Sequence, residues 1–176
     1  MNEIEMIVKS VDLAHKYYQP KYFKHAVAVY KALESKGAYT QAIGLCHDLL
    51  DGSRDLSHIT FDGRHCTEEE VESAVGAEGL ATIKLLTSVY EREYISPYSI
   101  NYSSKIVEQD RKANEQYFSN LKNILNSGNQ VAIDVARADV FDHVTNPLIY
   151  NEGTYSRYIK AAQILKVDNR DWKDKL

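Results

Sequence analysis

Two cysteines, Cys46 and Cys66, are too few for a disulfide scaffold. Cys46 lies within an apolar stretch and reads as a small core residue. No apolar run reaches the roughly 18 residues that a membrane-crossing helix requires. The opening Met1-Asn-Glu-Ile-Glu-Met-Ile7 is acidic and lacks the apolar core of a signal peptide. The expectation is a cytoplasmic protein with no membrane partner. A basic excess is also missing: the net charge is −4 and the pI is near 5.9. That argues against a polynucleotide-binding surface, while a small anionic ligand remains compatible. No strand-period segment, internal repeat or low-complexity tract is found.

What is present is helical periodicity. Hydrophobic residues make up 44% of the 176 and charged residues 26%, which is ordinary for one globular domain with a sizeable core, here residues 1–176. Ile4, Ile7, Val8, Val11 and Ala14 share one face of a first helix, which Pro20 ends or kinks. His25 opens a second apolar helix to Leu33, with Gly37 as a stop signal. Tyr39 to Leu50 reads as a third. After a polar loop (52–65), Thr67-Glu-Glu-Glu70 is a capping box. It opens a short helix to about Ala74, with another over Glu78 to Tyr90. Ile95 to Ser104 reads as a loop. Further helices are predicted over Lys105–Asn126, Gln130–Val144 and Thr154–Lys166, with the turn Asn126-Ser-Gly-Asn129 between the first two. The expected fold class is all-α.

Within Ala42-Ile-Gly-Leu-Cys-His47-Asp48-Leu-Leu-Asp51, two polar side chains interrupt an apolar stretch. Burying an imidazole and a carboxylate is costly without compensation, and a cation would supply it. His25 and Asp139 occupy similar positions in other apolar helices. Two imidazoles and two carboxylates suit a borderline divalent metal such as Mn, Fe, Co or Zn. Such an ion acidifies bound water and polarises a phosphoryl oxygen, so phosphoester or pyrophosphate hydrolysis is the expected chemistry. His143 stands one helical turn beyond Asp139 and shares its face. Lys21 and Lys24 flank His25, where they would draw an anionic substrate or simply be solvated. Arg111-Lys112 reads as a solvated face. His58 and His65 lie in the polar loop. Tyr94, Tyr98 and Tyr102 sit in a loop, placed to pack it or to stack on a base.

The order His25, His47-Asp48, Asp139 resembles the HD superfamily of metal-dependent phosphohydrolases. The chain is most similar to the hydrolase domains of Rel/Spo-type alarmone enzymes and the small alarmone hydrolases, roughly from Ile4 to Leu165. Val11-Asp-Leu-Ala-His15 resembles the end of the family's first helix. Tyr22-Phe-Lys-His25-Ala-Val-Ala-Val resembles its Tyr-Ile-x-His-Pro-x-x-Val, and the His47-Asp48 segment its Ala-Ala-Leu-Leu-His-Asp-x-x-Glu-Asp. Thr67 to Val89 resembles its Thr-x-Glu-Glu-Ile stretch. Val135-Ala-Arg-Ala-Asp139-Val-Phe-Asp-His143 resembles its Lys-Leu-Ala-Asp-Arg-Leu-x-Asn.

The resemblance implies a compact helical bundle with Mn²⁺ held by His25, His47, Asp48 and Asp139. The implied reaction removes the 3′-pyrophosphate from guanosine tetra- or pentaphosphate, a small phosphorylated nucleotide. The family's Glu-Asp pair that acts on water is Asp51-Gly52 here, which makes Asp51 the implied catalytic carboxylate; Asp55 or Asp62 is placed to supply a second. The candidate substrate-binding residues are Lys21 and Lys24, from their place beside His25, and His143, which stands where the family has its ribose-meeting Asn. The base-and-sugar half departs from the family. The basic loop before the first metal histidine is shortened and has no Arg, the expected Lys is Ala136, and the expected Asn is His143. These departures keep two alternatives open: a phosphomonoesterase on another nucleotide, and a nucleotide-binding domain without turnover.

Overall fold

The computed structural model describes residues 1–50, 65–87, 93–146 and 152–167. Among them are seven α-helices and no strand, so the fold is all-α. The helices are α1 (Glu3–Tyr17), α2 (Pro20–Ala32), α3 (Ala38–Cys46), α4 (Glu68–Leu86), α5 (Tyr102–Ser127), α6 (Gln130–Thr145) and α7 (Glu152–Leu165). A single 3₁₀ turn, Glu34–Lys36, leads into α3.

Local chemistry sets most boundaries. Asn2 accepts a hydrogen bond from the Glu5 amide at 2.8 Å and caps α1. Pro20 does not kink a helix but starts one, at the first position of α2, where its missing N–H has no intrahelical partner to lose. His25 therefore lies inside α2 rather than opening it. Thr67 and Glu70 form the expected capping box. The break between the two predicted helices after it is a kink inside α4, at Gly76 with φ 78°. Gly128, left-handed at φ 69°, ends α5, and Asn129 caps α6.

The buried side of α1 differs from expectation. Ile4 and Val8 are 79% and 52% exposed. Of that expected face Ala14 is buried and Ile7 packs against the core, joined by Ser10, Tyr17, Met6 and Leu13, which the expectation left out. The stripe is rotated because Tyr17 anchors it: its hydroxyl donates to Glu70 at 2.7 and 2.8 Å, and Lys16 Nζ meets the same carboxylate at 2.7 Å. One glutamate thus caps α4 and ties it to α1.

α3 is the centre of the bundle, packing on α1, α2, α4 and α6. Residues Ala42 to Cys46 are all buried, so the helix is apolar all round. Gly44 permits its close approach to α2: a Cβ there would lie 2.6 Å from Leu33 Cδ1 and 3.3 Å from Val29 Cγ1. A second apolar cluster, including Leu121, Ile124, Ala136, Val140 and Leu165, joins α5, α6 and α7. The site lies where α2 and the end of α3 meet α6. Cys46 and Cys66 are buried free thiols, each pushed up to about 12 by burial. No described helix is long and apolar enough to cross a membrane.

Two stability predictions follow from this packing. Gly44→Ala should destabilise the protein by about 1–3 kcal/mol through overpacking, read from urea unfolding. Glu70→Gln should cost up to about 1 kcal/mol at pH 7, because Gln can still accept from the Thr67 amide and only the charge facing Lys16 and Tyr17 is lost. Lys16, Tyr17 and the Thr67 amide hold the Glu70 carboxyl down to about 2. Its contribution is therefore present above the ordinary value of 4.5 and is lost as pH falls through about 2. Unfolding curves of wild type and variant should converge over that interval; a gap that persists at pH 2 would refute the assignment.

Candidate metal centre

α3 ends at Cys46, so the predicted helix to Leu50 is cut short. His47 is its C-cap, and the Leu49 amide turns back to the Cys46 carbonyl at 3.0 Å. This tight turn is what frees the His47-Asp48 pair from the helix. His47 stays buried, and its Nδ1–H donates to the Gly44 carbonyl at 2.7 Å. The Asp48 amide donates to the hydroxyl of buried Tyr18 at 3.1 Å. Both groups are thus held by partners that fix their direction.

α2 brings His25 and α6 brings Asp139. His25 Nε2, His47 Nε2 and an Asp139 oxygen all lie within 4.8 Å of one another. Asp139 Oδ1 is 3.1 Å from His25 Nε2 and 3.8 Å from His47 Nε2. Donor atoms on one divalent ion at about 2.1 Å stand roughly 3.0–3.5 Å apart; the His25–Asp139 pair lies in that range, and His47 stands slightly wide of it at 3.8 Å. Asp48 Oδ2 is 3.3 Å from His47 Nε2, at the partly exposed rim of the group.

The two histidines supply the test of fit. His25 Nε2 and His47 Nε2 are buried with no hydrogen-bond partner among the described residues. They approach Asp139 without hydrogen-bonding alignment. Each opposite nitrogen is engaged: His47 Nδ1 by Gly44, and His25 Nδ1 by Asp142 Oδ2 at 2.6 Å. A donating Nδ1–H sets Nε2 as the coordinating nitrogen, and a carboxylate behind a histidine is a recurrent support of metal ligands. The residues present therefore fit a divalent cation.

His143 lies 3.0 Å from Asp139 Oδ1 through Nε2. It is buried against the Asp139 carboxylate, on the face that the two share. Its ring stacks on His25 at 4.5 Å and on Tyr158 of α7 at 3.9 Å. Burial disfavours the Asp139 carboxylate, yet His143, His25 and His47 outweigh it and hold the group well below the usual carboxylate range. Asp48 is lowered for the same reason, against burial and chiefly by His47. Burial opposes protonation of His25, but Asp139 and Asp142 raise it to about 9. Asp48 and Asp139 likewise raise His47 well above its ordinary value, despite burial.

Lys21 and Lys24 are exposed, and among the described residues neither forms an ion pair with this group; Lys21 Nζ lies 5.3 Å over the Tyr22 ring. Asp51, Asp55, His58 and Asp62 lie outside the described residues, and His65 is exposed. Arg111 is on a solvated face, paired with Glu108 and Glu115. Tyr94 and Tyr98 are exposed. Sequence reasoning missed Asp142, Tyr18 and Tyr158. Asp142 alone left a signal, three residues beyond Asp139 on the same helix.

No protein-family model, curated protein or solved structure matches this chain.

In metal-free protein, His25 should titrate near 9. Because this lies above the ordinary 6.5, its contribution to stability is complete below about 6.5 and is lost as pH rises through about 9. Asp142→Asn should bring the His25 titration down by about one unit or more, read by NMR of the imidazole. A midpoint that does not move would remove Asp142 from the site.

Proposed function

We propose that this chain is an HD-type, divalent-metal-dependent phosphohydrolase acting on a small phosphorylated nucleotide. The observation that carries the reading is the meeting of His25, His47 and Asp139, from three helices, with two buried imidazole nitrogens that have no hydrogen-bond partner. The order of the motifs resembles the same family. His25, His47 and Asp139 would hold the ion, with Asp48 at the rim completing the set; Mn²⁺ is the candidate.

Bound there, a divalent cation supplies an acidified water and positive charge for a phosphoryl oxygen. The chain's own groups do the positioning. Gly44 and Asp142 each hold a proton at the far nitrogen of a ligand histidine. His143 holds the Asp139 carboxylate, and Tyr158 holds the His143 ring. Asp51 is the proposed base toward water. The substrate class is a nucleotide carrying a pyrophosphate, guanosine tetraphosphate or a relative. The altered base-and-sugar half favours a second reading, a phosphomonoesterase on another nucleotide.

Mn²⁺-loaded protein should release pyrophosphate from guanosine tetraphosphate or from another member of a nucleotide panel, followed by ion chromatography. Phosphate as the product would select the second reading. Tight nucleotide binding without product would mark a domain that does not turn over. His47→Ala should abolish activity. Asp142→Asn should weaken Mn²⁺ binding about 10- to 100-fold, measured by titration of the metal-free protein. A full complement of tightly bound Mn²⁺ in Asp48→Ala would remove Asp48 from the ligand set.

A further inference from the structure

Beside the three-residue group, α5 and α7 place a cation that has no carboxylate partner among the described residues. Arg157 is half-buried, and among the described residues no Asp or Glu pairs with it. Its Nε is buried without a hydrogen-bond partner, and so is the Tyr117 hydroxyl. The guanidinium carbon lies 5.3 Å over the Tyr117 ring and 4.8 Å over the Tyr158 ring. One terminal nitrogen donates to the Tyr158 hydroxyl at 3.1 Å. Aromatic faces offset part of the cost of withdrawing this charge from water. They leave the in-plane N–H donors of the fork, which recognise oxyanions, incompletely used.

The position of this cluster gives it meaning. Tyr158 stacks on His143, which contacts Asp139 Oδ1, so one unbroken chain of contacts links Arg157 to the candidate metal centre. Burial raises the Tyr117 phenol well above its ordinary value, and the Asp139 carboxylate adds to the rise before any other charge. The hydroxyl is buried away from solvent, and the Tyr117 ring lies edge-on to Tyr158 at 6.2 Å, the same ring that stacks on His143. A cation and a phenol with unused donors flank carboxylates and imidazoles suited to a metal. That combination fits a ligand bearing a second negative group, a short distance from the one that would meet the ion.

We propose that Arg157 and Tyr117 form an anion subsite that takes a phosphate of the ligand whose reacting phosphorus lies at His25, His47 and Asp139. This rests on the function proposed above and deepens it: the substrate carries at least two phosphate groups, one of them bound by the α5–α7 cluster and not by the metal. The specificity is for a phosphate dianion, through the Arg157 Nε–H and the Tyr117 hydroxyl, the two groups left without a partner among the described residues.

The test uses the full chain and inorganic phosphate, titrated calorimetrically into metal-free protein. Wild type should bind phosphate. Arg157→Met should weaken binding about tenfold or more while leaving Mn²⁺ affinity within about threefold and the thermal midpoint unchanged. Tyr117→Phe removes one oxygen and preserves packing, so it decides the matter even if Arg157→Met does not fold; it should weaken phosphate binding about threefold. With Mn²⁺ loaded, the bound phosphate should show paramagnetic broadening of its phosphorus resonance that Arg157→Met abolishes. Unchanged phosphate affinity in Tyr117→Phe, equal affinities in wild type and Arg157→Met, or no phosphate binding by wild type would overturn the subsite. Absence of Mn²⁺ uptake would overturn the metal reading alone, because the phosphate titration contains no metal.

Discussion

The structure around this site depends on one half-buried carboxylate. Asp139 Oδ1 has three imidazole nitrogens about it, from His25, His47 and His143, at 3.1, 3.8 and 3.0 Å. An ionised carboxylate withdrawn from water is costly unless paired, and here its partners come from α2, the end of α3 and α6. In the metal-free protein, protonated His25 and His47 balance that charge. A divalent cation would replace those protons, so one arrangement serves both states: the groups that stabilise the empty fold are those that would bind the ion. Metal binding and proton release are then a single event.

The packing serves to bring these elements together. Gly44 lets α3 close on α2, and the turn after Cys46 points His47 back across its own helix end. α7 contributes no ligand, yet Tyr158 forms the outer wall of the His25–His143 stack. The second core cluster is therefore part of the site, because it sets where that wall stands.

Much of this was legible in the sequence, for identifiable reasons. Polar residues inside apolar periods marked His25, His47 and Asp139, since burial without compensation is improbable on physical grounds. Thr67 and Glu70 fixed a helix start, and glycine fixed the kink and the stop. The α1 face was misjudged because periodicity counts apolar residues, while the Tyr17–Glu70 bond, between distant segments, decides the rotation. His143 was legible as sharing a face with Asp139, but a shared face does not say that its ring meets the carboxylate at 3.0 Å. Tyr18, Tyr158 and Arg157 gave no local signal, because their roles come only from contacts across the bundle. Asp51 lies outside the described residues.

The His25–Asp142 hydrogen bond spans 117 positions along the chain. During vectorial synthesis, α2 and α3 emerge long before the carboxylates that complete them. A chain stalled short of α6 presents His25 and His47 with Asp48 at the rim but without Asp139 and Asp142, two imidazoles packed together and incompletely balanced once protonated. Such an intermediate gains from remaining loosely packed until its last third arrives. The order of emergence thus makes closure of the bundle and completion of the polar cluster one late step in the birth of the protein.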